Sequence, residues 1–429
     1  MKKILPFLFL ILFFNWTCKP DLKVPKPSSG DADFSKFIAL GGQFMAGYQD
    51  GALYKDGQQY SIPYQLAKYM ALSGGSSLFA QPFMSDNSGL GINPKQWESA
   101  YQTASKLGFQ KDCKGISSLF PVKNNFSSGG SYAAPVSGPF QNLAVPFAKI
   151  SVYNSTSLST NIFYSRMGNS TMLIDAQFQL PTFFALWGGM EDIFDYASNG
   201  GNKIPVLPSY NFSLYLDSIL TKLNTKGIIA NIPDFTSFPF YTTIPWNALA
   251  LTQHQADSLN TVSSGQYNFV AGNNGFVIAD SHSPSGYRKM VSGEYVLLTA
   301  PLDSIKCSGM GAATMELPGR YVLDTSEVKI INTLVAGYNT VIAAKAQQYN
   351  LALADMNSYF KSVVTGIKWN GVDYNAQFVS GGFFSLDGYC PNQKGYALIA
   401  NKFIEAINAK YHSTIPWVNC MECSGIKFP

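Results

Sequence analysis

Short apolar segments that end abruptly at Gly, Pro or Asp recur along this chain and constrain its fold more than any other feature. They cover residues 37–40, 182–187, 227–232 and 351–354. Each has the profile of a buried strand that runs into a turn. Stretches with apolar residues at helical spacing separate them, most clearly at 60–70, 325–349 and 392–411. Buried strands that alternate with helices predict an α/β protein with a parallel sheet between two helical layers.

Two long stretches interrupt this alternation, residues 73–141 and 236–318. The first is rich in Gly, Ser and Asn, and the second mixes turns with short strand-like pieces. Both are too long for plain loops in a compact domain. We therefore predict two insertions over the carboxyl edge of the sheet, where ligands of such folds bind.

The N-terminus has the pattern of a bacterial lipoprotein signal. Two lysines precede an apolar run at residues 4–14, which is shorter than the roughly 20 residues of a membrane span. Cys18 then stands in the lipobox position, although Asn15 and Trp16 depart from the usual pattern. We expect residues 1–17 to be a signal peptide, Cys18 to carry the lipid, and the Pro- and Lys-rich residues 18–33 to form a flexible tether. The alternative is an ordinary secretory signal with a chance cysteine.

The composition restricts the partners of residues 34–429, which we expect to form one domain with two insertions. The net charge of +4 comes without a basic run, which excludes nucleic acid as a partner. Charged residues make up 13% of the chain and aromatic residues 14%. A surface this poor in charge is either usual for the exported proteins of some bacteria or is covered by a partner, a glycan or a membrane.

The cysteine pattern favours disulfides over a metal site. Five cysteines remain besides Cys18: Cys113, Cys307, Cys390, Cys420 and Cys423. In an oxidising envelope they could form up to two disulfides, whose pairing the sequence leaves open. The pair Cys420 and Cys423 has the spacing of half a zinc site, but no second ligand pair accompanies it, so we predict a disulfide there. No metal and no cofactor are expected.

The segment FIALGGQFMAGY at residues 37–48 resembles the first block of the SGNH hydrolases, in particular a lipoprotein branch from Bacteroidetes-type bacteria. Further matches lie at residues 50–54, 60–63, 231–234, 321–324 and 384–401, so the similarity runs in order from about residue 34 to 416. The resemblance implies a three-layer α/β/α, flavodoxin-like fold with a catalytic cleft at the carboxyl edge of the sheet.

The nucleophile and the general base of the family are both replaced. The family's serine falls on Gln43, whose carboxamide has no ionisable group to activate, and the acidic residue before it falls on Gly42. The family's Asp-x-x-His falls on Asp387 and Cys390. A thiol has a pKa of about 8.5 and lacks the second nitrogen by which an aspartate orients an imidazole. Three histidines lie outside the motifs: His254, His282 and His412.

The oxyanion hole is altered as well. The glycine of the family's second block falls on Phe147, which keeps the peptide amide but adds a benzyl group. The asparagine of the third block falls on Glu191. An ionised glutamate would repel the negative charge that the hole exists to stabilise. The resemblance therefore implies a pseudoenzyme.

Three hypotheses for the function follow. The first is an accessory subunit of an outer-membrane complex, held there by its lipid anchor at the cell surface or on the periplasmic face, with the insertions contacting a β-barrel protein. The second is a free-standing lipoprotein that binds a glycan or peptide, in which Phe147, Trp187 and Tyr389 stack on sugar rings rather than belong to the core. The third is a hydrolase with new chemistry, in which Glu191 and Asp387 form a facing carboxylate pair.

Overall fold

The computed structural model describes residues 26–92, 101–126, 134–168, 170–201, 205–280 and 283–429. The predicted signal peptide, Cys18 and the first half of the tether lie outside the described residues. The strands are β1 Phe37–Gly41, β2 Gly91–Ile92, β3 Tyr101–Gln102, β4 Lys106–Lys111, β5 Ser117–Val122, β6 Asn125–Phe126, β7 Phe183–Trp187, β8 Lys226–Ala230, β9 Leu249–Leu251, β10 Gly272–Asn274, β11 Val277–Ala279, β12 Tyr287–Lys289, β13 Tyr295–Val296, β14 Val322–Leu323, β15 Ala352–Ala354, β16 Ile367–Trp369 and β17 Val372–Tyr374. The helices are α1 Gln43–Ala46, α2 Lys55–Gln59, α3 Ile62–Ala71, α4 Met172–Phe178, α5 Met190–Ser198, α6 Ser209–Leu223, α7 Pro239–Thr242, α8 Gln253–Val262, α9 Leu302–Cys307, α10 Thr325–Gln348, α11 Met356–Thr365 and α12 Gln393–Tyr411.

A parallel sheet with the order β1-β7-β8-β15 forms the centre of the molecule. Every residue of β1 and β7 is buried, as expected for strands covered on both faces. Leu186 lies opposite Leu40 on one side and opposite Ile229 on the other. Each of the four predicted strands is confirmed within a residue or two.

Helices cover the sheet in two layers. Helices α3 and α12 pack against each other, and α6 packs against α10, where the rings of Phe212 and Tyr338 stack with their centroids 4.0 Å apart. Helix α10 begins at Asp324, whose carboxylate accepts from the amides of Ser326 and Glu327, while Glu327 reaches back to the amide of Asp324. This capping box fixes the start of the helix. The predicted α/β fold with a parallel central sheet is confirmed.

The two insertions fold into small units of their own. Residues 73–141 contain the antiparallel β4–β5 hairpin, and residues 236–318 have a separate apolar core that includes Phe276, Ile278 and Leu317. A disulfide between Cys113 and Cys307 joins the hairpin turn to α9. The insertions are therefore linked to each other covalently, across 194 residues of sequence.

The predicted disulfide between Cys420 and Cys423 is wrong, since both residues are buried free thiols. They stand at the two ends of a single 3-10 turn, and each sulfur has its own hydrogen-bond donor. Asn401 Nδ2 lies 3.6 Å from the sulfur of Cys420, and Gln65 Nε2 lies 3.9 Å from that of Cys423. Over the described ranges, no group of three or more His, Cys, Asp or Glu side chains could hold a metal ion.

The predicted tether is too long. The carbonyl of Ser28 accepts from the amide of Thr414 at 2.8 Å, the amide of Asp31 donates to the carbonyl of Tyr411 at 2.7 Å, and Ala32 is buried. Residues 28–33 are thus packed against the end of α12, because their backbone groups pair with the chain that leaves this helix. Within the part of the chain that is described, the helices are too short or too polar to span a bilayer.

Candidate functional site

A cleft of about 540 Å³ opens beyond the carboxyl ends of β1 and β7. Four of the five family positions line it, namely Gln43, Phe147, Asp387 and Cys390. We call Gln43, Gln102, Phe147, Tyr389 and Cys390 the cleft floor, because they are buried or half-buried. The insertions supply the cleft rim, which consists of Lys111, Asp112, Asp303 and Lys306. Both segments that were predicted as insertions contribute residues to this lining.

Glu191, the fifth position, lies beneath the floor instead of lining the cleft. It stands in the first turn of α5, just after Gly189, whose φ of 97° lets the chain turn sharply from β7 into the helix. Its Oε1 accepts a hydrogen bond of 2.9 Å from the backbone N–H of Gln43. The amide at the nucleophile position is therefore already occupied by a carboxyl oxygen of the protein, so it cannot donate to a substrate oxyanion.

The carboxyl group of Glu191 occupies the space that a side chain at position 42 would need. A Cβ built on Gly42 would lie 1.5 Å from Glu191 Oε1 and 2.0 Å from its carboxyl carbon. No side chain fits at position 42 while the glutamate holds this place. The acidic residue that the resemblance puts at position 42 and the glutamate at position 191 thus exclude each other sterically.

Burial changes how Glu191 acts. The side chain is 4% exposed, and the loss of water raises its pKa to about 8. The raised pKa disfavours the ionised form, so charge repulsion by Glu191 counts for less than the hydrogen bond by which its Oε1 occupies the Gln43 amide. The neighbouring Asp192 accepts from the amide of Ile150 at 2.9 Å, and burial raises its pKa to about 7.

Asp387 accepts hydrogen bonds from three backbone amides. Its Oδ1 accepts from the amides of Tyr389 and Cys390 at 2.8 and 2.7 Å, and its Oδ2 accepts from the amide of Gly51 at 3.0 Å. Burial nevertheless raises the pKa of this carboxyl. Asp387 therefore closes the turn at residues 387–390 and ties it to the segment after β1.

Cys390 has the wrong environment for a nucleophile or a base. Its thiol is 2% exposed, and burial together with the nearby Asp387 carboxyl raises its pKa well above the ordinary value. A thiolate is the reactive form of cysteine, and it forms where positive charge lowers the pKa. Of the histidines within the described residues, His254 and His412 are exposed, and neither lines the cleft.

Phe147 keeps the backbone conformation of a glycine. Its φ is 62°, in the left-handed region that side chains rarely adopt. The ring is half-buried and packs edge-on against Tyr48, with the centroids 5.2 Å apart. The benzyl group thus covers one end of the cleft floor without filling the cleft.

The other two aromatic residues that were predicted to stack on sugar rings, Tyr389 and Trp187, lie in different places. Tyr389 lines the cleft, and its buried hydroxyl has no hydrogen-bond partner. Trp187 belongs to the core, where its ring meets Phe44 edge-on at 5.3 Å and its Nε1 donates to the carbonyl of Asn231. Stacking of Trp187 on a sugar is therefore excluded by its burial.

Three residues that were not predicted from the sequence also line the cleft, namely Gln102, Phe194 and Phe240. Gln102 comes from the first insertion, and its Nε2 donates to the carbonyl of Gly51 at 3.0 Å, which leaves the buried Oε1 without a partner. None of the three belongs to a motif, and Gln102 lies far from the others in sequence. An apolar pattern marks Phe194 and Phe240 as buried but carries no sign that they meet at a cleft.

No protein-family model and no curated protein sequence matches this chain. Solved structures to which it is similar include a GDSL-like lipase from Parabacteroides merdae, with 10% identity, a TM-score of 0.36 and coverage of 89% of this chain and 99% of that chain. Another is LAE5, an alpha/beta hydrolase from the metagenome of Lake Arreo, Spain, with 9% identity, a TM-score of 0.38 and coverage of 88% and 97%. A third is an acetyl-xylooligosaccharide esterase from Geobacillus, with 9% identity, a TM-score of 0.34 and coverage of 90% and 98%.

Proposed function

We propose that this protein is a catalytically inactive, SGNH-type lipoprotein of the outer membrane that works by binding, as an accessory subunit of a membrane complex. The observation that carries the loss of hydrolysis is the hydrogen bond from the Gln43 amide to the carboxyl of Glu191. It removes a donor that a negatively charged intermediate would need, and removing one such donor costs about 100-fold to 1,000-fold in turnover.

The other catalytic groups support the same conclusion. Gln43 offers no nucleophile, Cys390 is buried and protonated, and Asp387 holds three backbone amides. Loss of nucleophile and base together costs on the order of a million-fold in a comparable hydrolase. These contacts also weigh against a new hydrolase that uses Glu191 and Asp387, because Glu191 does not line the cleft.

The β4–β5 hairpin supports a role in protein contact. Phe109 is 70% exposed, and Leu119, directly opposite it on β5, is 39% exposed. Ile116 and Phe120 on the same hairpin are exposed as well. Aromatic side chains that project from a cross-linked hairpin can anchor an interface at low entropic cost. A β-barrel protein is the proposed partner, because a lipid anchor would confine both to one membrane and raise their effective concentration.

A second candidate function is ligand binding in the cleft. The specific observation is that the cleft is open and that the half-buried rings of Phe147 and Phe194 line it. Small-molecule sites are lined mainly by apolar and aromatic side chains.

Purification of the tagged protein from native membranes in mild detergent tests the accessory role. We expect a membrane protein to co-purify at matching stoichiometry and the double variant Phe109→Ser/Leu119→Ser to lose it. The control is Phe178→Ser/Leu180→Ser, which removes the same two residue types from another exposed site. A wild-type protein that migrates alone, or equal loss of the partner in both variants, would contradict the proposal.

A further inference from the structure

We propose that the end of the molecule at the amino edge of the central sheet, where its strands begin, rests on the surface of the lipid bilayer. This inference rests on the proposed lipid anchor at Cys18 and names the surface that the anchor brings to the membrane. We call this surface the amino-edge face. It consists of Lys36, Leu78, Phe178, Leu180, Lys222 and Lys226.

The residues of the amino-edge face meet at the end of the sheet opposite the cleft. Strands β1, β7 and β8 are parallel and begin together at this edge. Just before β7, the amide of Thr182 donates to the carbonyl of Lys36 at 3.0 Å, and Lys226 is the first residue of β8. Nε2 of Gln177 donates to the carbonyl of Lys222 at 3.3 Å, so α4 and α6 end side by side. The ends of two helices and the starts of three strands therefore form one surface.

Large apolar side chains project from this surface. Among the residues that the structure describes, Leu78 and Phe178 are the most exposed large apolar side chains, at 82% and 81%. Both line one groove of about 500 Å³, together with Lys36. Leu180 is also exposed. Contact of such side chains with water is unfavourable, and their grouping at one site marks a surface that something covers.

The backbone of Leu180 supports a contact outside the protein. This residue directly follows the C-cap of α4, a position where glycine is usual. Its φ is 48°, in the left-handed region that side chains rarely adopt. The leucine therefore neither suits this backbone nor contributes much to the core.

The charges favour a bilayer as the covering partner. Lys36, Lys222 and Lys226 are exposed beside the apolar side chains, while the nearby carboxylate of Asp31 pairs with His412 at 2.7 Å. At a membrane surface, ammonium groups reach the lipid phosphates while apolar side chains enter the boundary between headgroups and acyl chains. Protein interfaces, by contrast, are depleted of lysine.

The N-terminal segment reaches the body of the protein at this same edge. The carbonyl of Ser28 pairs with the chain that leaves α12, and the hydroxyl of Tyr411 at the end of α12 donates to the carbonyl of Gly227 in β8 at 2.7 Å. Residues 19–27 separate Ser28 from Cys18, and a segment of this length spans at most about 30 Å. A lipid on Cys18 would therefore hold the amino-edge face close to the headgroups, with the cleft at the far edge.

Quenching by brominated lipid tests the inference on the mature lipoprotein. The protein is reconstituted in vesicles of brominated phosphatidylcholine and phosphatidylglycerol, at roughly seven to three, with a bimane label on Leu78→Cys or Phe178→Cys. The control is Phe428→Cys, whose exposed ring lies near Leu386, a residue that also lines the cleft. The native cysteines of the described residues do not compete for the label, because two form the disulfide and three are buried.

We expect bromine to quench the label at positions 78 and 178 but not at position 428. Quenching at position 78 should fall about two-fold or more when Phe178→Ser/Leu180→Ser is added, because less apolar surface then enters the bilayer. Adding Leu214→Ser/Phe428→Ser, which removes the same residue types elsewhere, should leave it unchanged. In detergent, where no bilayer is present, Phe178→Ser/Leu180→Ser should still keep its protein partner.

Three results would overturn the inference: no quenching at positions 78 and 178, equal quenching at position 428, or equal loss of quenching in both double variants. A shift of bimane emission without quenching would mean that protein covers the face, which overturns it as well. Failure of the proposed anchor is distinguished by intact-mass analysis, in which Cys18 would be found without lipid. Failure of the proposed accessory role would instead be seen as the absence of a co-purifying protein.

Discussion

The cleft floor and the cleft rim are held together by different forces. The floor is held by buried hydrogen bonds from its backbone amides to carboxyl groups next to it or beneath it: Asp387 accepts from three amides, two of them those of Tyr389 and Cys390, and Glu191 accepts from the amide of Gln43. On the rim, the Cys113–Cys307 disulfide and the Lys306–Asp112 ion pair connect two insertions. The difference teaches that buried hydrogen bonds fix the centre of the cleft, whereas cross-links between the two insertions fix the surface around it.

The largest effect is expected on the rim. Replacing Cys113 and Cys307 together by serine opens a loop of 194 residues and should lower the free energy of unfolding by about 2–4 kcal/mol. Limited proteolysis should then cleave the β4–β5 hairpin first. Urea unfolding measures the loss.

Reductant provides the control for this variant. It should lower the stability of the wild-type protein to that of the double variant and leave the variant unchanged. A rim that resists proteolysis without its disulfide would show that packing alone holds it.

On the floor, the steric coupling of Gly42 and Glu191 can be measured directly. Gly42→Ala should lower the free energy of unfolding by about 2–3 kcal/mol, because its Cβ would overlap the glutamate carboxyl. The backbone of Gly42 has φ −98° and ψ −144°, outside the main regions of an L-residue, so backbone strain adds to the cost in every background. In the Glu191→Ala background, where only this strain remains, the same change should cost less, by at least about 1 kcal/mol. Equal costs in both backgrounds would refute the coupling.

Counted per pH unit, a smaller effect is expected from a change of pH. Burial raises the pKa of Glu191 to about 8, against about 4.3 in an unfolded chain. Between these values the folded protein keeps a proton that the unfolded chain releases, so stability should fall as pH rises, by up to about 1.4 kcal/mol per pH unit. The stabilisation is complete below the unfolded pKa and is lost as pH rises to about 8.

Urea unfolding at a series of pH values checks this slope. Glu191→Gln keeps the acceptor for the Gln43 amide, lacks the titrating group and should flatten the dependence. A residual slope of the same sign is expected from Asp192 and Asp50, whose pKa values burial raises to about 7 and about 6. Stability that increases over this range would contradict the assignment.

The sequence predicted the sheet and the floor better than the rim. Strands such as residues 37–40 and 182–187 are fully buried, so their apolar runs and glycine stops determine them locally. The resemblance correctly placed Gln43, Phe147, Asp387 and Cys390 at one cleft. The disulfide could not be chosen, because the pairing of Cys113 with Cys307 depends on how two insertions meet. The raised pKa of Glu191 could not be predicted either, since it follows from burial in three dimensions.

The smallest effect is expected from Gln43→Ser, which should leave ester hydrolysis unchanged. Gln43→Ser restores a hydroxyl at the nucleophile position but leaves Glu191 on the amide and a protonated thiol at position 390. We expect no turnover of p-nitrophenyl acetate above that of the wild-type protein. Hydrolysis by this single variant would show that Glu191 does not block the hole.

The most direct test of the account is reaction of the folded wild-type protein with a fluorophosphonate probe, followed by intact-mass analysis and by an assay on p-nitrophenyl acetate. We predict an unmodified mass and no ester turnover above buffer, because the described cleft offers no activated nucleophile and its floor amide is occupied. Stoichiometric labelling of the folded protein, lost on unfolding, would contradict it.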